Sequence, residues 1–220
     1  FEPTKYNYAS MARVRQANRI KDNIDLSCDF GYLLGALCGD GWVSDCRQFY
    51  ICGLDQDIFE QFHRSLHCIF SGDVPTPVIT ERTSGVGSYG TCIKLGYSSV
   101  EIATVLDELI GHKAKNKHLP PFYLTAPLEF RKGLFAGLMD TDGSISTSRG
   151  KKRPQLMASY SSTSIRMVQE VKLLAQTLGI KSNICSFKYR GDRTSWMLTF
   201  SSPDIARWGG ANMACVRKVM

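Results

Sequence analysis

The sequence of 220 residues has no apolar run that approaches the roughly 18 residues needed to cross a membrane. Its first residues also lack the hydrophobic segment of a secretory signal peptide. The eight cysteines include no Cys-x-x-Cys pair, and the four histidines do not lie at zinc-finger offsets from them. Disulfide frameworks are typical of small secreted domains, so we expect reduced thiols here. These absences predict a soluble protein without a membrane partner, in a reducing intracellular compartment such as the cytoplasm, the nucleoid or an organelle.

Negative charge is scarce in the second half of the chain. Residues 111–220 carry 18 lysines and arginines against 6 acids, whereas residues 27–110 carry 4 against 11. The net charge of the whole chain is +7. A basic excess concentrated in one part of a protein indicates a polyanionic partner such as nucleic acid.

Two segments of the sequence are near-duplicates. Residues 33–41 and 135–143 are both apolar and rich in small residues, and they end in an Asp-Gly pair that contains Asp40 in the first and Asp142 in the second. Each segment predicts a helix that stops at this pair. Two such helices packed together would place Asp40 and Asp142 side by side. Paired carboxylates can hold a divalent metal for phosphodiester hydrolysis, whereas one alone is an ordinary helix end.

The duplication extends beyond these two segments. Lys117 follows Asp40 by 77 residues and Lys218 follows Asp142 by 76, with a similar order of predicted helices and strands between them. Each unit is predicted to be αββαββα, so the chain would form one pseudo-symmetric α/β (α+β) fold. The predicted division is a basic extension over residues 1–26, a first repeat over 27–110, a connection over 111–130 and a second repeat over 131–220.

The two segments resemble the paired LAGLIDADG motifs of single-chain homing endonucleases, and most closely the version found in intein-embedded members. Residues 111–120, which precede the second segment, are similar to the lysine-then-proline block of the same group. The resemblance implies that the two repeats pack through their motif helices. It also implies that their sheets form a β-sheet saddle that binds DNA.

The resemblance further implies roles for residues at the helix ends. The carboxylates of Asp40 and Asp142 would be catalytic and would bind Mg²⁺, and Mn²⁺ would substitute for it. The residues that precede them, Gly39 and Thr141, would belong to the same metal site. Lys117 and Lys218 would be active-site lysines that position water or stabilise charge building up on the phosphate. The metal-site residues implied in this way are Asp40, Asp142, Gly39 and Thr141.

One departure from the family pattern is visible in the first motif. The additional, earlier acid of the family is present as Asp140 in the second motif but is replaced by Cys38 in the first. We therefore expect Asp140 to be structural and the two half-sites to differ chemically.

The strands are expected to supply DNA recognition. Alternate residues of a half-buried strand face opposite sides, so Ser186, Lys188 and Arg190 should share one face of the sheet and Phe187 and Tyr189 the other. The basic face is the predicted DNA face, because arginine and glutamine can pair with base edges in the major groove. The residues predicted to contact DNA are Arg47, Gln48, Tyr50, Arg82, Tyr89, Lys94, Arg149, Lys151, Lys152, Arg153, Lys188, Arg190 and Arg193.

These features predict a monomeric, site-specific DNA endonuclease that makes a Mg²⁺-dependent double-strand break. The resemblance implies a long asymmetric double-stranded target. Because the sequence has neither a nucleophilic first residue nor a terminal His-Asn, we expect an intein's endonuclease domain or a free-standing relative. Two alternatives remain open: an RNA maturase that assists intron splicing, and a non-cleaving DNA-binding regulator. Neither would need both Asp40 and Asp142.

Overall fold

The structure is a computed structural model that describes residues 23–70, 74–82, 92–112, 116–147, 155–189, 193–215 and 218. The same order of elements occurs twice along the chain. The first set is α1 (Cys28–Cys38), β1 (Gly41–Ser44), β2 (Gln48–Gly53), α2 (Gln56–Phe70), β3 (Val78–Arg82), β4 (Cys92–Ser98) and α3 (Val100–Ile110). The second set is α4 (Leu128–Thr141), β5 (Gly143–Thr147), β6 (Leu156–Ser162), α5 (Ile165–Thr177), β7 (Ser182–Tyr189), β8 (Arg193–Phe200) and α6 (Ser202–Trp208).

The predicted αββαββα repeats are confirmed by this order of elements. Each repeat contains one antiparallel sheet of four strands, with the order β1-β2-β4-β3 in the first and β5-β6-β8-β7 in the second. The registers also correspond, since Gly41 pairs with Ile51 and Gly143 with Tyr160. Helix α4 begins at Leu128, inside the segment assigned above to the connection.

Local sequence signals explain where several helices begin. Ser27, Ser99 and Ser164 precede α1, α3 and α5, and each side chain accepts a hydrogen bond from the backbone N–H three residues later. Such caps satisfy one of the N–H groups that a helix start leaves without a partner. In the described part of the chain, no helix has both the length and the hydropathy needed to cross a membrane.

One face of each sheet packs against the helices to form the core. In β2, Phe49 and Ile51 are fully buried, while Tyr50 between them is only half-buried. In the second sheet, Tyr160 and Leu198 are fully buried in the same way. We call the opposite side of each sheet its open face, because residues there alternate with the core residues along the strands.

Helices α1 and α4 pack against each other with their backbones in contact. Gly31 and Gly35 of α1 face α4, and Gly133 and Gly137 of α4 face α1. A Cβ at Gly31 would overlap the Phe130 carbonyl oxygen, and one at Gly137 would lie 2.7 Å from the Ala36 nitrogen. Larger residues at these four positions would therefore push the helices apart.

We predict that Gly137→Ala destabilises the protein by roughly 1–3 kcal/mol or more, because the added methyl group meets the backbone of α1. The control is Gly53→Ala, since a Cβ at Gly53 would have Phe59 at 3.7 Å as its nearest neighbour. This control should change the free energy of unfolding by no more than about 0.5 kcal/mol. Urea denaturation of both variants tests the prediction, and equal stabilities would contradict it.

Candidate active site at the paired helix ends

The two motif helices end next to each other, and each end carries one of the predicted carboxylates. Helix α1 is closed by Gly39, whose N–H donates to the Gly35 carbonyl, and Asp40 follows. Helix α4 is closed by Asp142 itself, whose N–H donates to the Leu138 carbonyl at 3.1 Å. A Cβ at Gly39 would overlap the Thr141 hydroxyl, so the two ends are in contact.

The two carboxylates influence each other electrostatically. Loss of hydration at the helix ends and then the charge of Asp40 raise the pKa of Asp142 to about 6, against the opposing effect of Lys117 and Lys218. Loss of hydration also raises the pKa of Asp40, while Lys218 and Lys117 act in the opposite direction. Two like charges held together in this way favour either a proton or a cation.

Lys117 closes the carboxyl end of α1. Its ammonium group donates to the carbonyl oxygens of Leu37 and Cys38 at 3.0 Å, of Gly39 at 2.9 Å and of Gly41 at 2.6 Å. The last two carbonyls lie on either side of Asp40. Burial lowers the pKa of Lys117, and the neighbouring negative charges, including Asp142 and Asp40, oppose this. The lysine thus fixes the backbone that carries the first carboxylate.

Lys218 closes α4 through equivalent contacts. Its ammonium group donates to the carbonyl oxygens of Met139 at 3.1 Å, Asp140 at 2.6 Å, Thr141 at 3.3 Å and Gly143 at 2.8 Å. The matched spacing in the sequence thus corresponds to matched positions in the structure. A lysine has only three N–H donors, and four carbonyls surround each one here. Both lysines thus cap the helix ends, while their expected contact with water or phosphate stays a prediction.

Asp140 is a buried anchor, with only 1% of its surface exposed. Its carboxylate accepts hydrogen bonds from the Tyr32 hydroxyl at 2.8 Å and from the backbone N–H groups of Ala214 at 2.7 Å and Cys215 at 3.3 Å. It thereby ties α1 and the segment that precedes Lys218 to the end of α4. The expected structural role of Asp140 agrees with these contacts.

The first motif has a weaker version of this anchor. The Cys38 thiol occupies the position equivalent to Asp140 and donates to the His118 carbonyl at 3.5 Å, next to Lys117. Glu170 adds to it, since one carboxylate oxygen accepts from the Leu119 N–H at 2.7 Å. Sequence reasoning missed Tyr32 and Glu170, because neither lies in a motif. It also left Gly31 and Gly133 out, although both occupy matching positions before the two aspartates.

A cleft of about 450 Å³ joins the helix ends to the second sheet. Gly39, Lys117 and Asp142 line it at the helix ends. The end of β6 with the turn after it, Phe187 and Ser195 also line it. On the first sheet, the Asp40 carbonyl accepts from the Cys52 N–H at 3.1 Å, at the end of β2. Both open faces therefore end at the paired carboxylates.

Three of the residues predicted to bind DNA lie together on the open face of the first sheet. The Lys94 ammonium lies 3.7 Å from the centre of the Tyr50 ring, which stacks on Trp42. Gln48 donates to the Ser98 hydroxyl at 3.1 Å and accepts from the Tyr50 hydroxyl. Trp42, which is not among the residues predicted to bind DNA, also lies on this face, since it alternates with the buried Val43 and pairs with Tyr50.

The remaining predicted DNA contacts fall into three groups. Arg47 lies exposed in the turn between β1 and β2. Arg82 pairs with Cys92, and Arg193 pairs with Tyr189, so the strand register places the backbones of both arginines. Residues Tyr89, Arg149, Lys151, Lys152, Arg153 and Arg190 lie outside the described residues, while Arg82 and Arg193 are placed by backbone register alone.

The predicted orientation of Lys188 is wrong. The alternation along β7 is as expected, but Ile184 pairs with Leu198 and Lys188 pairs with Thr194, which places Lys188 on the helix-packed side of the sheet. The buried Leu198 fixes that side as the inner one. Period-two alternation gives the residues that share a face, whereas packing decides which face is inside.

The donor atoms at the helix ends suit a hard divalent cation. They are the carboxylates of Asp40 and Asp142 and the carbonyl oxygens of Gly39 and Thr141, which also accept from the two lysines. Burial raises the pKa of the nearby Cys38 thiol to about 12, so the thiol stays protonated and is not a soft ligand. Oxygen ligands that include few protein carboxylates are the set that Mg²⁺ uses.

Comparisons with known proteins agree with this geometry. Residues 129–208 match the family model of the LAGLIDADG-like domain. The fold is similar to that of the homing endonuclease I-WcaI bound to its DNA recognition sequence, with a TM-score of 0.60 and 12% identity over 97% of this chain and 98% of that one. It is also similar to I-DmoI in complex with DNA and Mn, with a TM-score of 0.57 and 13% identity over 89% of this chain and 97% of that one.

A curated relative is the replicative DNA helicase DnaB of Nostoc sp., which is 29% identical over 156 residues, or 69% of this chain. The chain spans only 18% of the length of that relative. Residues 129–208 thus match a LAGLIDADG-like domain, and the chain has the fold of LAGLIDADG homing endonucleases.

We predict that the metal-free protein loses stability as the pH rises. The folded-state pKa of Asp142 is about 6, above its ordinary value of 3.8, so the folded state binds more protons than the unfolded state between these values. Stability then falls as pH increases through this window and stays low above it. Thermal melting in EDTA from pH 4.5 to 7.5 measures the effect. Asp142→Asn should flatten the profile, and an unchanged profile in this variant would contradict the assignment.

We predict that Lys117→Ala destabilises the metal-free, DNA-free protein by at least about 1.5–3 kcal/mol, the range for a hydrogen bond to a charged group. Lys181→Ala is the control, since Lys181 is exposed and far from the helix ends in the chain. Urea denaturation measures both variants. A lysine that served only the phosphate would leave the free energy of unfolding unchanged.

Proposed function

We propose that this protein is a site-specific, Mg²⁺-dependent endonuclease that cuts both strands of a double-stranded DNA target. The observation that carries the proposal is the pair of electrostatically coupled carboxylates, Asp40 and Asp142, at the contact of two equivalent helix ends. Each sheet's open face leads to this point, so a duplex that covers both faces would have its backbone beside the carboxylates.

The residues of the chain divide the chemistry between them. Bound divalent metal would supply charge neutralisation at the scissile phosphate and lower the pKa of attacking water. Asp40 and Asp142 would hold it, one from each repeat. Lys117 and Lys218 keep the two carboxylates in place by fixing the carbonyls on either side of them. Because the two carboxylates are already in position, no free energy is needed to reorganise them when the reaction occurs. The solved relative I-DmoI contains Mn with its DNA, which supports a divalent metal here.

A long and asymmetric target follows from the two repeats. Each sheet would contact one half of the site, and the residues on the two open faces differ. A single chain contains both halves of the active site, which supports a monomeric enzyme. An intracellular location is part of the same proposal, since the target is DNA.

The position of the chain within a larger protein is also proposed. A match that covers 69% of this chain but only 18% of a DnaB helicase is what an endonuclease domain inserted into another protein would give. This favours the intein origin over a free-standing enzyme.

Two other functions were open from the sequence: an RNA maturase and a non-cleaving DNA-binding regulator. Neither function requires a carboxylate at both helix ends. Loss of hydration and then the charge of Asp40 raise the pKa of Asp142, and a pure binding protein could avoid this unfavourable arrangement by one substitution. The site therefore favours the endonuclease.

We predict that Asp40→Asn and Asp142→Asn each abolish Mg²⁺-dependent double-strand cleavage and leave DNA affinity largely intact, because the carboxylates hold metal and do not contact bases. Cleavage of a library of duplexes, read by sequencing of the ends, is the measurement. Glu60→Gln is the control, because Glu60 lies exposed on α2. This variant should cleave DNA like the wild type. Wild-type cleavage by either aspartate variant would refute the assignment.

A further inference from the structure

The open faces of the two sheets differ in chemistry at several equivalent positions. Lys94 pairs with Cys52 in the first sheet, and Met197 pairs with Ser161 in the second. Cys52 and Ser161 both follow directly after the residue that pairs with the glycine of their motif. Lys94 and Met197 are therefore structural equivalents.

Other positions differ as well, although not all in the same direction, since Val78 of the first sheet corresponds to Asn183 of the second. The first sheet has Trp42 and Tyr50 stacked under the Lys94 ammonium, with Gln48 beside them. By the same register, the second sheet has only hydroxyl, amide, thiol, thioether and phenyl groups among its described open-face side chains. These are Ser144, Ser146, Met157, Ser159, Ser161, Asn183, Cys185, Phe187, Ser195, Met197 and Thr199.

Among the residues whose side chains the structure describes, the positive charge of the second repeat lies away from this face, while the strand register places the backbone of Arg193 on it, paired with Tyr189. Arg131 donates to the carbonyls of Ala126 and Thr177. Three other basic side chains form ion pairs on the helices, and Lys218 caps α4. The helical ion pairs are Lys132 with Glu129, Arg166 with Glu170 and Arg207 with Asp204. The net charge of this repeat thus does not describe the face that leads to the active site.

Large apolar side chains are exposed on this face of the second sheet. Met157 is 57% exposed and Phe187 39% exposed, and neither they nor Met197 belong to the core. Exposed apolar side chains grouped on one face mark a binding surface. In the major groove, the one apolar group that a base presents is the C5-methyl of thymine, whereas lysine and glutamine pair with guanine and adenine edges.

We propose that the two repeats recognise their half-sites by different chemistry: the first by charged and polar contacts through Gln48 and Lys94, and the second by contact of Met157, Phe187 and Met197 with thymine methyl groups. This inference rests on the proposed function, since it takes duplex DNA as the occupant of both faces. The small hydroxyl residues between the apolar ones leave room for the methyl groups and can hydrogen-bond to either base of a pair.

The experiment first selects bound duplexes from a random library in EDTA, so that no strand is cut. Each thymine of the selected site is then replaced by deoxyuridine, which removes only the C5-methyl. We expect about a three- to fivefold loss of affinity for each contacted methyl. The sensitive thymines should lie in one half of the site. In the variant Met197→Ser, the sensitivity of at least one of them should disappear.

The matched control is Lys94→Met, the equivalent position of the first sheet. It should keep the deoxyuridine sensitivity and change the base preference in the other half of the site. Methyl sensitivity spread equally over both halves, or unaltered in Met197→Ser, overturns the inference and leaves the proposed function intact. If the wild-type chain selects no duplex at all, the proposed function fails and the inference fails with it.

Discussion

The backbone contact between α1 and α4 is the constraint on which the rest of the structure depends. Gly31 and Gly35 on one helix and Gly133 and Gly137 on the other leave no side chain between the two backbones. The helices can therefore run together until Gly39 meets Thr141, where each ends beside a carboxylate. Since both sheets start directly after these ends, the same contact also sets where the open faces meet.

The site at this contact is a balanced group of four charges. Two carboxylates, Asp40 and Asp142, lie beside two largely buried ammonium groups, Lys117 and Lys218. The lysines lower the pKa of both acids while loss of hydration raises it. Because the ammonium groups are engaged with helix-end carbonyls, they offset the carboxylate charge without forming direct ion pairs that would block the carboxylate oxygens. The carboxylates stay available as ligands, and their positions stay fixed.

The sequence predicted the parts of this architecture that repeat. Both motif helices stop at the expected Asp-Gly pairs, and the two lysines lie at equivalent positions because their distances from the aspartates match. Spacing could not give the bonding partners of Lys117, since hydrogen bonds to carbonyl oxygens leave no trace in residue type. The inner side of β7 depended on the packing of Leu198, a residue of the neighbouring strand. Counting charges likewise could not show that Arg131 points its donors at helix-end carbonyls.

The sequence distance between each lysine and its carbonyls makes the site a late product of folding. Lys117 lies 76 to 80 residues from its four acceptors, and Lys218 lies 75 to 79 from its own. On the ribosome, the first motif helix emerges long before the residue that completes its end, and the second helix before its own. Until each lysine has docked, the carbonyls on either side of its carboxylate lack the hydrogen bonds that the ammonium group donates. The nascent chain thus acquires its helices and strands first and the order of its paired helix ends last, so the site proposed for cleavage is complete only after Lys218 has been synthesised.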